Sequence, residues 1–139
     1  MSQENVERLR RIYEGFNAGR RDSGVLAADV EFMQPDELGG GRGVYYGVEG
    51  FDRGLRELTE TFDDFHIEPE RFIDAGDRVV AFVRLQGRAR QSGVPVDAAF
   101  AHVVAFRSGL VVKWHAYAHR GEALNAVGLS EEDTHTGSS

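Results

Sequence analysis

Residues 64–119 read DFHIEPERFIDAGDRVVAFVRLQGRARQSGVPVDAAFAHVVAFRSGLVVKWHAYAH, and this stretch decides the fold. Its apolar residues recur with a period of two, the signature of extended chain. Three turn sequences cut it: Ala75-Gly76-Asp77, Ser92-Gly93-Val94-Pro95 and Arg107-Ser108-Gly109. The pieces are four candidate strands in a meander, His66–Asp74, Arg78–Arg90, Val96–Phe106 and Leu110–His119.

Upstream of this stretch the period is helical. Val6, Leu9, Ile12, Tyr13 and Phe16 form one apolar stripe, and Gly19 is placed to end that helix in the left-handed conformation. A short helix is expected over Val25–Ala28, then a strand over Val30–Gln34 that Pro35 stops. Residues 36–47, DELGGGRGVYYG, read as a glycine-rich loop. Val48, Phe51, Leu55, Leu58 and Phe62 mark a second long helix, and Glu122–Val127 a short last one. Helices grouped ahead of a run of antiparallel strands indicate an α+β fold, with a curved, mainly antiparallel sheet wrapped around the N-terminal helices. One domain over residues 1–130 is expected, followed by a disordered polar tail, EEDTHTGSS, at 131–139.

Composition narrows the function classes. A formal charge of −7 over 139 residues repels phosphate backbones and argues against nucleic acid. The absence of cysteine excludes disulfides, thiolate metal sites and a cysteine nucleophile. No apolar run reaches the ~20 residues that span a bilayer, and the N-terminus lacks the apolar core of a signal peptide. A cytoplasmic protein with no membrane partner is expected.

Alternation in the strands places a pocket. Phe100, His102, Val104 and Phe106 share one side of their strand, and Ala99, Ala101, Val103 and Ala105 the other. Both sides are apolar, so two covers are expected: the helices, and a second subunit over the alanines. In the last strand Val112, Trp114, Ala116 and Ala118 share a face, opposite Lys113, His115, Tyr117 and His119. Small residues beside one tryptophan read as a lined cavity. The Lys/His/Tyr face suits a homodimer contact through the outer side of the sheet.

Several segments resemble SnoaL-like proteins of the nuclear transport factor 2-like superfamily. They are Tyr13-Glu14-Gly15-Phe16-Asn17-Ala18-Gly19, Asp29-Val30-Glu31-Phe32, Gly47-Val48-Glu49-Gly50-Phe51, Gly76-Asp77-Arg78-Val79-Val80, the run from Gly87 to Val96, and Phe106-Arg107-Ser108-Gly109-Leu110-Val111. The resemblance covers roughly residues 4–129. It implies a cystatin-like α+β cone, a half-barrel with an apolar cavity, usually a homodimer that admits a small apolar molecule. These segments specify scaffold rather than chemistry.

The resemblance implies three chemistries known in that superfamily, each with its own residues. A ketosteroid-isomerase-type reaction implies a carboxylate base where this chain has Gln34, and a protonated Asp where it has His102. The helix-one tyrosine of that reaction falls on Ile12, with Tyr13 one place and about 100° away. A limonene-type epoxide hydrolase implies an acid at Ala116, although Trp114 and Tyr117 match. A cyclase of the SnoaL type implies an Asp acid/base beside a histidine, and the last strand, VVKWHAYAH, holds no Asp or Glu.

His102 is therefore the candidate catalytic or ligand-orienting residue, which burial would keep neutral. The expected pocket comprises Tyr13, Phe16, Phe32, Gln34, Phe100, His102, Val104, Trp114 and Ala116, with no metal and no cofactor. Packing is the preferred role for Tyr13, and ligand orientation or strand-end capping for Gln34. His115 and His119 on a strand lie about 13 Å apart, too far to share one ion. Arg84, Arg88 and Arg90 read as a solvated or dimer face, or else as a dock for an anion. The loop GGGRG lacks the Gly-Lys-Ser/Thr ending of a phosphate loop. It reads instead as a flap carrying Tyr45 or Tyr46. Three functions remain: a binder of a small apolar molecule, a metal-independent isomerase or cyclase using His102, or a dimeric interaction scaffold. A cavity filled by Phe32, Phe82, Phe100 and Trp114 would favour the scaffold. An open one holding His102 and Gln34 would favour the first two.

Overall fold

The computed structural model describes residues 2–20, 23–35 and 43–130. Helix α1 spans Ser2–Asn17. It buries Val6, Leu9 and Tyr13 against the sheet, and Ile12 and Phe16 pack at the margin of the same core. Gly19 closes it at φ +77°, with the Gly19 N–H bonded to the Phe16 carbonyl and the Arg20 N–H to the Gly15 carbonyl. A 3-10 turn at Ser23–Val25 leads into β1, Leu26–Gln34. The short helix expected around Val25–Ala28 is thus a 3-10 turn that ends at Val25, and Leu26–Ala28 are strand. Leu26 pairs with Val111, and tertiary pairing overrides the helical preference of Leu-Ala-Ala.

Strand β2, Gly43–Tyr46, pairs antiparallel with β1 and runs directly into helix α2, Gly47–Thr61. The expected loop therefore ends in a strand, and its part at 36–42 lies outside the described residues, as does the tail at 131–139. The meander follows as β3 (Phe62–Ala75), β4 (Arg78–Ala89), β5 (Pro95–Arg107) and β6 (Leu110–Tyr117). Helix α3, Arg120–Ala126, comes last. The six strands form one mixed sheet in the order β2-β1-β6-β5-β4-β3, in which only β1 and β6 are parallel. Pro69 is tolerated because β3 is an edge strand. The α+β half-barrel expected from the sequence is the fold found, and its sheet is not closed.

Helices α1 and α2 fill the concave side. α1 packs mainly on β3, and α2 on β1. Close approach of α2 depends on Gly54, where a Cβ would lie 2.6 Å from the Phe32 ring. One facing assignment changes: Val111, not Val112, is fully buried beside Trp114. Phe106 pairs with Val111 but Ala105 with Lys113, so Val112 is an extra residue that resets the alternation.

The convex side has a smaller core. Val80, Ala101 and Val103 are covered by Ala123 and Leu124 of α3, with Phe82, Tyr117 and Leu129 packed at its margin. The chain itself thus supplies part of the outer cover expected from a second subunit, while Ala99 stays exposed. No helix among the described residues is long and apolar enough to cross a membrane.

Candidate functional site

Beneath α1 and α2, on the concave face of the sheet, lies a cavity of about 50 Å³. Eight of the nine expected pocket residues line it: Tyr13, Phe16, Phe32, Gln34, Phe100, His102, Trp114 and Ala116. Val104 does not. It is fully buried within the core, paired with Trp114 across the β5–β6 ladder. The shared strand face continues past the cavity into solid packing, which alternation alone does not reveal.

The wall also includes Ile12, Phe51, Leu55, Leu58, Phe65, Ile67 and Leu85. Ile12, Phe51, Leu55 and Leu58 belong to the two helical stripes visible in the sequence. The stripe shows which face is buried, not whether it meets packed core or a void.

The wall is aromatic and interlocked. The His102 ring lies 5.0 Å from Trp114 and 5.1 Å from Phe100, edge-on to the latter. Tyr13 stacks on His102 at 5.8 Å and meets Trp114 edge-on at 5.6 Å. Phe51 bridges Trp114 and Phe32 at 5.9 and 4.7 Å.

One polar pair crosses this wall. The Tyr13 hydroxyl lies 2.7 Å from His102 Nδ1, joining α1 to β5. Tyr13 both packs in the core and reaches the histidine with its hydroxyl. With neutral partners, either Tyr13 donates to Nδ1 and Nε2 carries the hydrogen, or Nδ1–H donates to the Tyr13 oxygen. In both tautomers one donor is left over, and His102 Nε2 has no partner among the described residues.

Burial controls the charge of both groups. Desolvation pushes the His102 imidazolium down to about 3 and the Tyr13 phenol well above its usual value. Both are uncharged at neutral pH. Gln34 is buried at the end of β1, and its Nε2 donates to the Gly54 carbonyl at 3.0 Å. It fastens β1 to α2, and its own carbonyl oxygen has no partner among the described residues.

No Asp or Glu among the described residues lines the cavity. Among the described residues no group of three or more His, Asp or Glu side chains is placed to hold a metal ion. His115 pairs instead with Glu31 at 2.6 Å across β1 and β6, and His119 is exposed just ahead of α3. His66 pairs with Glu68 on the surface. His135 lies outside the described residues.

The arginine run offers no shared patch. Arg84 pairs with Glu70 and Asp97, Arg90 with Asp63, and Arg88 donates to the Gly93 carbonyl. The Tyr45 hydroxyl bonds to Glu57 on α2 and its ring packs on Phe32, so Tyr45 is a fixed strand residue. Tyr46 is exposed.

Comparison with known proteins agrees with this architecture. The SnoaL-like domain family matches residues 9–114. A nuclear transport factor 2-like protein of unknown function from Burkholderia pseudomallei K96243 is 25% identical with a TM-score of 0.71, over 89% of this chain and 97% of that one. TerC, crystallised with polyporic acid, is 27% identical with a TM-score of 0.67, over 81% and 88%. A protein provisionally assigned as a SnoaL-like polyketide cyclase, from Jannaschia sp. CCS1, shares the fold at 21% identity and a TM-score of 0.70, over 84% and 85%. Among curated proteins none matches the chain.

Proposed function

Because the chain belongs to the SnoaL-like family, we propose that it binds a small, mostly apolar molecule in the cavity beneath α1 and α2. The observation that carries this reading is the buried Tyr13–His102 pair set in an aromatic wall. Polar groups in an apolar chamber cost free energy unless something uses them. This pair leaves one donor over, suited to receive a single oxygen of a bound molecule.

Binding is favoured over catalysis by the chemistry of the wall. A histidine whose conjugate acid has been pushed to about 3 is a weak base at neutral pH. Among the described residues no lining carboxylate stands by to share a proton. His102 thus orients a ligand and does not drive proton transfer. TerC, at 27% identity, was crystallised with polyporic acid, and a small organic compound is the occupant proposed here as well.

The volume supports a second reading. At about 50 Å³ the chamber has room for roughly three waters, against about 300–1,000 Å³ for ligand sites in general. The binder reading therefore requires wall side chains to give way. The alternative is a filled core in a dimeric scaffold, paired through the outer sheet face that carries Lys113 and His115.

Trp114 is the single tryptophan and a wall residue, so its emission reports on the chamber. Titration with uncharged naphthols and naphthoquinones should quench it. His102→Ala should weaken that binding about five- to tenfold, consistent with ~1–1.4 kcal/mol for one hydrogen bond. Ala116→Leu should fill the chamber and abolish the response. Quenching that survives Ala116→Leu unchanged would sink the binder reading.

A further inference from the structure

A groove of about 920 Å³ runs along the outside of the two long helices, between α1, α2 and the start of β1. Val25, Leu26, Val48 and Leu110 contribute apolar walls. Ile12, Phe16, Phe51 and Leu55 line both the groove and the inner cavity, so a single layer of side chains separates the two. A second depression, beside Asn17 and Asp63, shares only Phe16 and Phe65 with the cavity.

The described rim of the groove lacks the acidic excess of the molecule. The chain carries −7, yet among the described residues Arg8, Arg11 and Arg20 line the groove beside only Glu14 and Asp52. Arg8 is engaged with Asn5 and Glu4. Arg56, Arg84, Arg90, Arg107 and Arg120 all have carboxylate partners. Arg11 and Arg20 have no side-chain partner among the described residues. Two uncommitted guanidiniums beside an apolar trough form an amphipathic surface, and guanidinium is suited to planar anions.

We propose that this groove takes an amphipathic organic anion, a carboxylate or sulfonate on a flat apolar body. Arg11 and Arg20 hold the charge. The apolar body lies against Ile12, Phe16, Phe51 and Leu55, facing the inner cavity. The placement of that apolar end rests on the proposed binding function; the charge preference does not. The groove also supplies the room that the inner cavity lacks.

The test uses two fluorophores that share one ring system: anilinonaphthalene sulfonate, which is anionic, and phenylnaphthylamine, which is not. The wild-type protein should bind the sulfonate about tenfold more tightly, a difference that shrinks with added salt. An Arg11→Glu/Arg20→Glu double variant should remove the preference and leave affinity for the neutral amine within about twofold. Gly15→Leu should displace both probes, because Gly15 lines the groove and a Cβ there meets nothing within 4 Å. A cooperative thermal melt confirms that each variant is folded. Equal affinity of the two probes for the wild type overturns the proposal, as does a sulfonate preference that persists in the double variant. Ala116→Leu separates the two readings. If it spares the sulfonate preference while abolishing naphthol quenching, both readings stand; if it spares the preference and leaves naphthol quenching unchanged, the groove stands and the inner-cavity reading fails. If it abolishes all binding while the arginine variant changes nothing, the groove fails alone.

Discussion

His102 is 4% exposed, stacked on Tyr13 and bordered by Trp114 and Phe100. Its consequences for stability follow from its titration. The folded imidazole titrates at about 3, against 6.5 for the unfolded residue, so between these values only the unfolded chain takes up the proton. Its contribution to stability is complete above pH 6.5 and is lost as pH falls towards 3. Denaturant unfolding should therefore show a slope of up to about 1.4 kcal/mol per pH unit in that window, and a His102→Gln variant should lack that component. Ligand binding through the neutral ring should be flat from pH 5 to 8. Tyr13→Phe leaves His102 Nδ1 without its partner and should cost about 1–3 kcal/mol. Adding His102→Leu to it should cost less than the sum of the two single changes, which a double-mutant cycle reads directly. His102 was identifiable from sequence as a polar residue on an apolar face. Its partner was not, because one helical position of uncertainty turns a side chain by about 100°.

At the level of elements, α2 and β1 meet through Gly54 and Phe32. A Cβ at Gly54 would sit 2.6 Å from the Phe32 ring, and the Gly54 carbonyl also accepts from Gln34. Gly54→Ala should destabilise by about 1–3 kcal/mol through overpacking, although alanine is the better helix former. Gly15→Ala in α1, where a Cβ meets nothing within 4 Å, should instead stabilise by about 0.5–1 kcal/mol. Thermal or denaturant melts of the pair separate packing from propensity. The stripes Val6–Leu9–Tyr13 and Phe51–Leu58 were plain in the sequence because a period of 3.6 depends only on residue type. The register of β6 was not. One inserted residue, Val112, exchanges the facing of Val111 and Val112, and nothing in the residue types marks it.

Across the whole molecule the sheet is covered on both sides, by α1 and α2 within and by α3 over part of the outside. Leu124 is fully buried between α3 and Val80, Ala101 and Val103, so Leu124→Ala should cost about 2–5 kcal/mol in denaturant unfolding. The same variant should bare the outer face and raise self-association, measurable by analytical ultracentrifugation. The family is legible in the segments that resemble it, while residue types alone show the α+β class, the order of the long elements and the side of β5 that faces inward. Those follow from periodicity and turn chemistry, which are local properties of the chain. Tertiary structure decided the rest: that Leu26–Ala28 is strand, that Val104 is core and not wall, that Tyr13 touches His102, and that the inner chamber is small beside the groove outside it. Each of these depends on how far apart two elements settle when their side chains interdigitate. That distance is set by the volumes of residues far apart in the chain, such as Gly54 against Phe32, and no local pattern encodes it.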